Sequence, residues 1–391
     1  MARFDDWVTD PDIELDAVMT FIADRGHIGE LYLNRYLVWK SSGSTGSPGV
    51  FVEDAGALAT FDALMAAHIA LRPGTQYPWN MLSSRRAALV VATGDHFASI
   101  ASWQRVCQGS PWISAHSFSI LEPIERLVAQ LNDYQPEFLS SYPTMLSLLA
   151  LEQDAGRLKI SPTMLWAGGE TLTADAGVDI ERAFGCPLTN EYGASECMSM
   201  AFGCGEGWLH VNADWVLLEP VDRDYQPTSP GVASNTVLLS NLANYVQPII
   251  RYDLGDSILV NPEPCACGNP LPAVRVEGRR DDILSLRAAD GTLVRLLPLA
   301  LTTIVEDAAR VHRFQIVQTA ADHLMLRLEP CAVEARHAAW RAAGPALQRY
   351  LAQQSLSNVH VGLDKRAPHC DRRSGKLREV IVAMESAVGA R

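Results

Sequence analysis

Short apolar runs alternate with longer stretches of helical periodicity over roughly the first 200 residues of the chain. The apolar runs are bounded by turn-forming residues and predict buried strands at Tyr36–Trp39, Ala87–Ala92 and Thr163–Ala167. The predicted helices that accompany them span Ile13–Arg25, Ala55–Leu71, Leu121–Asn132 and Thr144–Glu152. Regular alternation of strands and helices is typical of an α/β fold with substantial parallel sheet.

The pattern changes after about residue 205, where helical periodicity gives way to short strands separated by Pro and Gly. Val211–Glu219 and Ala233–Leu239 are predicted strands, and they place a β-rich subdomain at about 205–277. This subdomain is expected to complete a large N-terminal domain, residues 1–280.

A second domain is predicted beyond the tight polar segment Gly278–Asp282, which has the composition of a hinge. The remaining residues, 281–391, include a predicted helix at Ala332–Gln353 and end in a basic loop, Asp371–Lys376. We therefore predict a small, mobile α+β domain at the C-terminal end.

Charge and composition narrow the class of protein. Apolar residues make up 48% of the chain, enough for a sizeable core, and the net charge of −13 argues against a nucleic-acid-binding protein. No apolar run reaches the ~18 residues of a membrane span, and the acidic N-terminus lacks the pattern of a signal peptide. We therefore expect a cytoplasmic protein without a membrane partner, whose eight cysteines are free thiols or metal ligands.

Two motifs rich in small residues carry the first candidate chemistry. Ser41–Gly49 follows an apolar strand, and the backbone N–H groups of such a loop can surround phosphate oxygens. The same composition is also typical of a linker, and the motif lacks the Gly-Lys-Ser/Thr of the common nucleotide P-loop. Asn190–Glu196 combines a tyrosine face for a base, a serine for phosphate and a carboxylate for Mg²⁺, although an ordinary turn explains it equally well.

Charged turns supply two further motifs. Arg251–Asp256, followed by Gly278–Asp282, offers a carboxylate that can hold both ribose hydroxyls and an arginine that can assist it. Arg373–Lys376 places a lysine on a glycine-containing loop, where it could neutralise charge that develops in a transition state. Taken singly, each turn is more typical of a solvated surface.

Taken in order, the motifs resemble those of the adenylate-forming superfamily of acyl-CoA synthetases. The similarity extends over nearly all of the chain and points to the phenylacetate–coenzyme A ligase family, to which coenzyme F390 synthetases are also similar. The motifs that carry it are the loop Ser41–Gly49, WAGGETLT at Trp166–Thr173, NEYGASE at Asn190–Glu196, RYDLGD at Arg251–Asp256, GRRDD at Gly278–Asp282 and RSGK at Arg373–Lys376.

The resemblance implies an ATP site built from five of these motifs. The residues implied for the β- and γ-phosphates are Ser42, Gly43, Ser44, Thr45 and Gly46. The residues implied for the adenine are Gly168, Gly169, Glu170 and Tyr192 with its neighbour Gly193, and Asn190 or Glu191 near the amino group. The residues implied for the ribose are Asp256 and, nearby, Arg279.

The resemblance also implies the chemistry. Ser195 would contact the α-phosphate, Glu196 would bind Mg²⁺ and Lys376 would catalyse adenylation, while Asp281 or Asp282 would be the hinge. A carboxylic acid would become an acyl-adenylate with release of pyrophosphate, and then a coenzyme A thioester. Homodimers are expected from the family.

Two departures from the family pattern bear on this expectation. Ser47 occupies the position of the usual phosphate-loop lysine, which puts pyrophosphate handling in question. The chain also begins close upstream of that loop, where relatives carry a further segment, so a truncated start or an incomplete acyl pocket is expected. These departures motivate an alternative, a nucleotide- or acyl-binding homologue with impaired catalysis. A further alternative transfers the acyl group to a carrier protein.

Cysteine spacing predicts a structural zinc site. Cys265 and Cys267 form a C-x-C turn, and Cys204 with His210 could complete a tetrahedral set. Relatives in the phenylacetate–coenzyme A ligase family are similar here. Buried free thiols beside a core histidine are the alternative.

The acid substrate is less well specified by the sequence. His116, Tyr142 and Ala194 are candidate pocket residues, and an aromatic or other flat hydrophobic acid would suit such walls. Each of these positions is also compatible with an ordinary core.

Overall fold

The computed structural model describes residues 3–41, 49–71, 85–109, 113–120, 122, 124–279, 284–296, 298–311, 313–329, 332–369 and 377–383. Within these ranges the helices are α1 (Phe4–Trp7), α2 (Leu15–Ala23), α3 (Ala55–Leu71), α4 (Ala98–Gly109), α5 (Ile124–Tyr134), α6 (Pro143–Asp154), α7 (Ala174–Phe184), α8 (Pro298–Ala309) and α9 (Val333–Gln353). No described helix is both long and apolar enough to cross a bilayer.

The described strands fall into five sheets. In chain order they are β1 (Leu31–Tyr32), β2 (Tyr36–Lys40), β3 (Val50–Glu53), β4 (Arg85–Val91), β5 (Ile113–Ser119), β6 (Phe138–Ser141), β7 (Met164–Gly168), β8 (Leu188–Ala194), β9 (Cys197–Gly203), β10 (Leu209–Val211), β11 (Val216–Val221), β12 (Thr236–Asn241), β13 (Ile249–Asp253), β14 (Asp256–Val260), β15 (Ala273–Arg279), β16 (Leu284–Arg287), β17 (Leu293–Leu296), β18 (Phe314–Ala320), β19 (His323–Leu328), β20 (His360–Leu363) and β21 (Val380–Val382).

A nine-stranded sheet in the order β14-β15-β10-β9-β8-β7-β6-β4-β5 forms the centre of the molecule. Strands β4 to β8 pair in parallel, and β9, β10, β14 and β15 continue the sheet in antiparallel fashion. Among the parallel strands, β4 and β7 are largely apolar, as is typical of strands that are buried on both faces. In β4, for example, Ala88 and Val90 are completely buried, and Leu89 is only 5% exposed.

Local sequence signals fix the helices against this sheet. Helix α5 buries Leu127, Val128 and Leu131 in the core, while its charged residues lie on another face of the helix. Helix α7 begins at Thr173, whose hydroxyl accepts a hydrogen bond from the Ala176 amide at 3.3 Å. It ends at Gly185, which adopts the left-handed conformation (φ 64°) that glycine tolerates best.

The C-terminal part has its own hydrophobic core, formed by the sheet β20-β19-β18-β21 and helices α8 and α9. It contains a buried ion pair, in which the Arg327 Nε atom lies 2.9 Å from an Asp364 carboxylate oxygen. The paired arginines Arg366 and Arg327 lower the pKa of Asp364 far below its ordinary value, although burial opposes the shift. Ionisation of this carboxyl is therefore favoured in the folded protein.

The predicted α/β fold class is confirmed, and most predicted elements lie within a few residues of the observed ones. The single strand predicted at Val211–Glu219 is wrong. The chain turns after β10, where the Val216 amide donates to the Asn212 carbonyl at 2.9 Å. The Asn212 side chain is engaged elsewhere, because its amide donates to the Ser199 carbonyl at 3.0 Å. Asn212 and Asp214 in this stretch favour a turn, and a prediction from hydrophobic periodicity alone does not take that preference into account.

The β-rich range 205–277 is divided between two sheets. Strands β11, β12 and β13 form a separate three-stranded sheet, whereas β10, β14 and β15 belong to the central sheet. The predicted domain division at residues 280 and 281 stays a prediction, and the hinge residues Asp281 and Asp282 lie outside the described residues.

Candidate active site

Tyr192 and Asp256, predicted for the adenine and the ribose, are in direct contact. The Tyr192 hydroxyl, on β8, donates a hydrogen bond to the Asp256 carboxylate, at the start of β14, over 2.8 Å. Both side chains are buried. Arg279, at the end of β15, is the cross-strand neighbour of Asp256. Residues that are 64 positions apart in the sequence are therefore brought into direct contact.

Ser195 and Glu196 form the tip of the β8–β9 hairpin, where Ala194 pairs with Cys197. The two strands approach so closely that a Cβ at Gly193 would collide with the carbonyl oxygen of Met198. Only glycine fits at this position, because every other residue carries that atom. The glycine of the NEYGASE motif thus permits the tight hairpin that presents Ser195 and Glu196.

The predicted phosphate loop begins and ends beside this hairpin. Residues Ser42, Gly43, Ser44, Thr45 and Gly46 lie outside the described residues, as does Ser47. The flanking residues are described, and the Ser41 amide donates to the Gly49 carbonyl at 2.9 Å, while the Gly49 amide donates to the Ser41 hydroxyl at 2.8 Å. The Trp39 indole donates to the Ser195 carbonyl at 2.8 Å. The base of the loop is therefore attached to the hairpin tip.

The GGE motif follows β7, and its carboxylate joins two distant segments. Glu170 accepts hydrogen bonds from the Thr144 hydroxyl at 2.6 Å and from the Leu377 amide at 3.2 Å. Gly169 adopts a positive φ of 79°, which turns the chain away from the strand. The segment that follows Lys376 thus reaches the GGE motif, although Lys376 itself lies outside the described residues.

A buried side chain ties together both ends of the segment that contains Lys376. The Gln315 amide donates to the carbonyl of His369 at 2.8 Å and to that of Arg378 at 3.0 Å. Gln315 is 1% exposed. Its role was missed from the sequence, because glutamine in a strand carries no signal of its own.

Comparison with known proteins identifies the family to which the chain belongs. The family model of the AMP-binding enzyme matches residues 36–232, just over half of the 391 residues. The chain belongs to the AMP-binding enzyme family. Protein CapK of Staphylococcus aureus is 28% identical over 214 residues, which are 53% of this chain and 45% of that protein. The phenylacetate-coenzyme A ligase of Thermus thermophilus is 28% identical over 193 residues, 46% of this chain and 43% of that protein.

The matched segment spans less than half the length of either curated relative. Solved structures extend the likeness to most of the chain at lower identity. A 2-hydroxyisobutyryl-CoA ligase in the postadenylation state has a TM-score of 0.65 at 21% identity, covering 90% of this chain and 74% of that one. The anthranilate CoA ligase AuaEII, in complex with anthranoyl-AMP, has a TM-score of 0.57 at 14% identity, covering 87% and 65%. The suspected resemblance to acyl-CoA synthetases is confirmed at the level of the fold.

The predicted pocket residues of this AMP-binding enzyme do not meet. Ala194 ends β8, beside the hairpin tip, and Tyr142 is buried just before α6. His116 lies on the edge strand β5, between the rings of Phe118 and Tyr134 at centroid distances of 5.1 and 5.6 Å. Strands β4, β6 and β7 separate His116 from β8. Sequence order gave no indication that the strand order places β5 at the edge.

Burial raises the pKa of Tyr142 strongly, so its hydroxyl stays protonated at neutral pH. Asn190 lies half-buried on β8 opposite Ala167, and the adjacent Gly168 faces Glu191. Asn190 or Glu191 was predicted near the adenine amino group, and this stays a prediction. The Glu191 carboxylate accepts a hydrogen bond from the Trp166 indole at 2.7 Å, on the neighbouring strand β7.

The AMP-binding enzyme also brings its predicted zinc ligands together. The ligand atoms of Cys204, His210, Cys265 and Cys267 all lie within 4.8 Å of one another. The sulfurs of Cys204 and Cys265 are 3.7 Å apart, close to the roughly 3.8 Å that two 2.3 Å bonds at a tetrahedral zinc require. The His210 Nε2 atom lies 3.1 Å from the Cys267 sulfur.

Neighbouring groups orient these ligands as a zinc site requires. The Nδ1 atom of His210 lies 3.0 Å from the Leu271 carbonyl oxygen, which fixes a proton there and leaves Nε2 for a metal. The Asn269 amide lies 3.5 Å from the Cys267 sulfur and favours its thiolate. The donor set and its surroundings therefore fit zinc.

Proposed function

We propose that this protein activates a carboxylic acid with ATP and transfers the acyl group to coenzyme A. The observation that carries the proposal is the contact of Tyr192 with Asp256, together with the attachment of the phosphate-loop base to Ser195 through Trp39. These contacts connect three motifs that are expected around one nucleotide, namely the phosphate loop through its base, NEYGASE and RYDLGD. Membership of the AMP-binding enzyme family supports the same conclusion.

In the first step, a carboxylate oxygen attacks the α-phosphorus, and the bond to the β-phosphate breaks. Pyrophosphate leaves with the electron pair of that bond. Ser195 would hold the α-phosphate, Asp256 the ribose, and Lys376 would neutralise the charge that builds on the transferring group. Glu196 would hold Mg²⁺, which neutralises charge on the phosphates.

In the second step, the coenzyme A thiol loses its proton and the sulfur attacks the acyl carbonyl carbon, so that AMP leaves. The contact between the Leu377 amide and Glu170 supports a role for the C-terminal part in the first step. Rotation of that part about Asp281 or Asp282 would withdraw Lys376 and admit the thiol. A carrier-protein thiol in place of coenzyme A is an outcome that the test below distinguishes.

We further propose one structural zinc ion in the cluster of Cys204, His210, Cys265 and Cys267, a cytoplasmic location, and an aromatic acid as substrate. The aromatic preference is supported by the similarity to the phenylacetate-coenzyme A ligase of Thermus thermophilus. A homodimer remains the expectation from the family.

The proposal is tested by acid-dependent release of pyrophosphate from ATP over a panel of aromatic and aliphatic acids. We expect release with at least one acid, and thioester formation when coenzyme A is added. Formation of the adenylate without the thioester would indicate that a carrier protein, and not coenzyme A, accepts the acyl group. A complete absence of acid-dependent release, with ATP still bound, would identify an impaired homologue and contradict the proposal.

A further inference from the structure

Side chains from two other sheets contact the tip of the β8–β9 hairpin. The Trp39 indole, on β2, donates to the Ser195 carbonyl oxygen at 2.8 Å. The Asn241 side-chain amide, at the end of β12, donates to the Glu196 carbonyl oxygen over a longer distance of 3.4 Å. Both three-stranded sheets and the central sheet therefore meet at the two residues proposed for the α-phosphate and Mg²⁺.

The hairpin alone constrains its tip only weakly. Ala194 and Cys197 form the last pair of its ladder, so Ser195 and Glu196 lie beyond the cross-strand hydrogen bonds. The pairing is also irregular between Tyr192 and Ala194, and such irregularities change the direction of the side chains that follow. Contacts from outside the hairpin thus help to determine where the side chains of the tip lie.

The Trp39 side chain is a rigid support for such a contact. It is 1% exposed and belongs to the same apolar cluster as Tyr192. Its backbone pairs with Phe51 on β3, and the next residue, Lys40, forms an ion pair with Asp95 at 2.7 Å. A donor that is held on several sides restricts the carbonyl group that it contacts.

The same side chain connects the tip to the base of the phosphate loop. Trp39 lies two positions before Ser41, which closes that base through its hydrogen bonds of 2.9 and 2.8 Å with Gly49. A movement of the tip relative to this base would change the separation between Ser195 and the residues expected at the β- and γ-phosphates. The Trp39 indole therefore restricts the relative positions of two motifs that are expected to hold one triphosphate.

We propose that Trp39 is a positioning residue, which holds Ser195 and Glu196 in place for the α-phosphate and Mg²⁺, with Asn241 as the weaker second support. This inference rests on the proposed function, because the roles of Ser195 and Glu196 come from it. Loss of the indole N–H leaves the Ser195 carbonyl without that donor, so that the tip can move. A displacement of about 1 Å in a catalytic site can lower the rate by about 100-fold.

The alternative is that Trp39 only fills the apolar cluster. A purely structural role predicts a lower Tm on substitution and an unchanged dependence on Mg²⁺. A positioning role predicts that phenylalanine, which keeps an aromatic ring and lacks the donor, changes the dependence on Mg²⁺.

The test compares Trp39→Phe with Trp7→Phe in the full chain. The Trp7 indole donates to the Pro248 carbonyl, and its ring packs against the same apolar cluster, so the control loses the same kind of bond to an acceptor outside the hairpin. The measured quantities are the Tm, the calorimetric affinity for ATP at several Mg²⁺ concentrations, and kcat and the half-saturating Mg²⁺ concentration for acid-dependent pyrophosphate release. We expect Trp39→Phe to raise the half-saturating Mg²⁺ concentration and to lower kcat, each about tenfold, whereas Trp7→Phe changes only the Tm.

A double variant tests whether Trp39 acts through the tip. In a Glu196→Gln background, Trp39→Phe should cause little further change in the Mg²⁺ dependence of ATP binding, because two residues that act through one contact are not additive. If Trp39→Phe does not fold, Asn241→Ala takes its place, with a change of about twofold expected in the same direction.

Equal effects of Trp39→Phe and Trp7→Phe on the Mg²⁺ dependence, or full additivity with Glu196→Gln, would overturn the inference. ATP binding that does not depend on Mg²⁺ in the unmodified protein would overturn it as well. If Trp39→Phe weakens the Mg²⁺-dependent binding of ATP in a protein that releases no pyrophosphate, the inference holds while the proposed activity fails.

Discussion

The two ends of strand β9 serve different purposes. Ser195 and Glu196 precede the strand and belong to the proposed nucleotide site, whereas Cys204 follows it and belongs to the cysteine–histidine cluster. Hairpin β14–β15 repeats the arrangement, with Asp256 at one end and the Cys265–Cys267 turn at the other. A seven-residue strand is roughly 23 Å long, so the two sites are well separated.

The two ends also differ in how they affect stability. At the cysteine end, four ligands from two hairpins can be cross-linked by one metal ion. At the nucleotide end, Glu53 and Glu191 are carboxyls whose pKa values burial raises to about 8 and about 7. Deprotonating such groups costs stability, so these two carboxyls make stability depend on pH. A zinc cross-link at the cysteine end would instead stabilise the fold without involving the proposed nucleotide residues.

The largest effect expected at the nucleotide end follows from Lys376→Ala. Loss of its charge should slow adenylation by about two to three orders of magnitude, while thioester formation from supplied acyl-adenylate largely survives. Single-turnover assays of the two half-reactions measure this difference. Lys365→Ala, at an exposed lysine of the same C-terminal part, should change neither rate. Equal loss in both half-reactions would refute the role assigned to Lys376.

The largest effect expected at the cysteine end follows from removal of the metal. Elemental analysis should find about one zinc per chain, and Cys204→Ser should lower both the zinc content and the Tm, the latter by about 10 °C. Cys107→Ser is the matched control, since Cys107 is half-buried and outside the cluster. A chelator should destabilise the control protein and have little further effect on Cys204→Ser. A metal-free protein with an unchanged Tm would contradict the proposal that a metal ion at the cysteine cluster stabilises the fold.

A smaller, pH-dependent effect is expected from Glu53→Gln. Burial raises the pKa of Glu53 to about 8, and the neighbouring Asp54 adds to the shift. Because the ordinary value is 4.5, the unfolded chain loses this proton first, and stability falls as the pH rises from about 4.5 to about 8. Glutamine does not titrate, so the variant should melt a few degrees higher at pH 9 and close to the unmodified protein at pH 5. A Tm difference that is independent of pH would contradict this account.

The cysteine cluster was predictable because ligand chemistry is restrictive. A C-x-C turn and a Cys–His pair leave few ways to build a tetrahedral site, and the structure brings all four ligands together. The contact of Tyr192 with Asp256 was implied by the family resemblance, not by their separation in the sequence. The α/β class followed from alternating apolar runs, and strands such as β4 were found within two residues of their predicted bounds.

The relative positions of the candidate pocket residues were not predictable from the sequence, because they depend on strand order and on which face a residue occupies. His116 was a candidate pocket residue, yet β5 is the edge strand. Asn190 or Glu191 was predicted near the adenine amino group; the two residues point to opposite faces of β8, and the Glu191 carboxylate accepts a hydrogen bond from the Trp166 indole. Nothing in the motif distinguishes these two faces until the register of β7 and β8 is known.

The close approach at Gly193 has a consequence for variation in this protein. A collision between backbone and Cβ does not depend on the size or polarity of the rest of the side chain. In a library of all single substitutions selected for function, position 193 should therefore tolerate alanine as poorly as tryptophan. Flanking positions such as Ala194 should instead show a tolerance that decreases gradually with side-chain volume. Position 193 should therefore stand out in the hairpin as one that accepts no substitution.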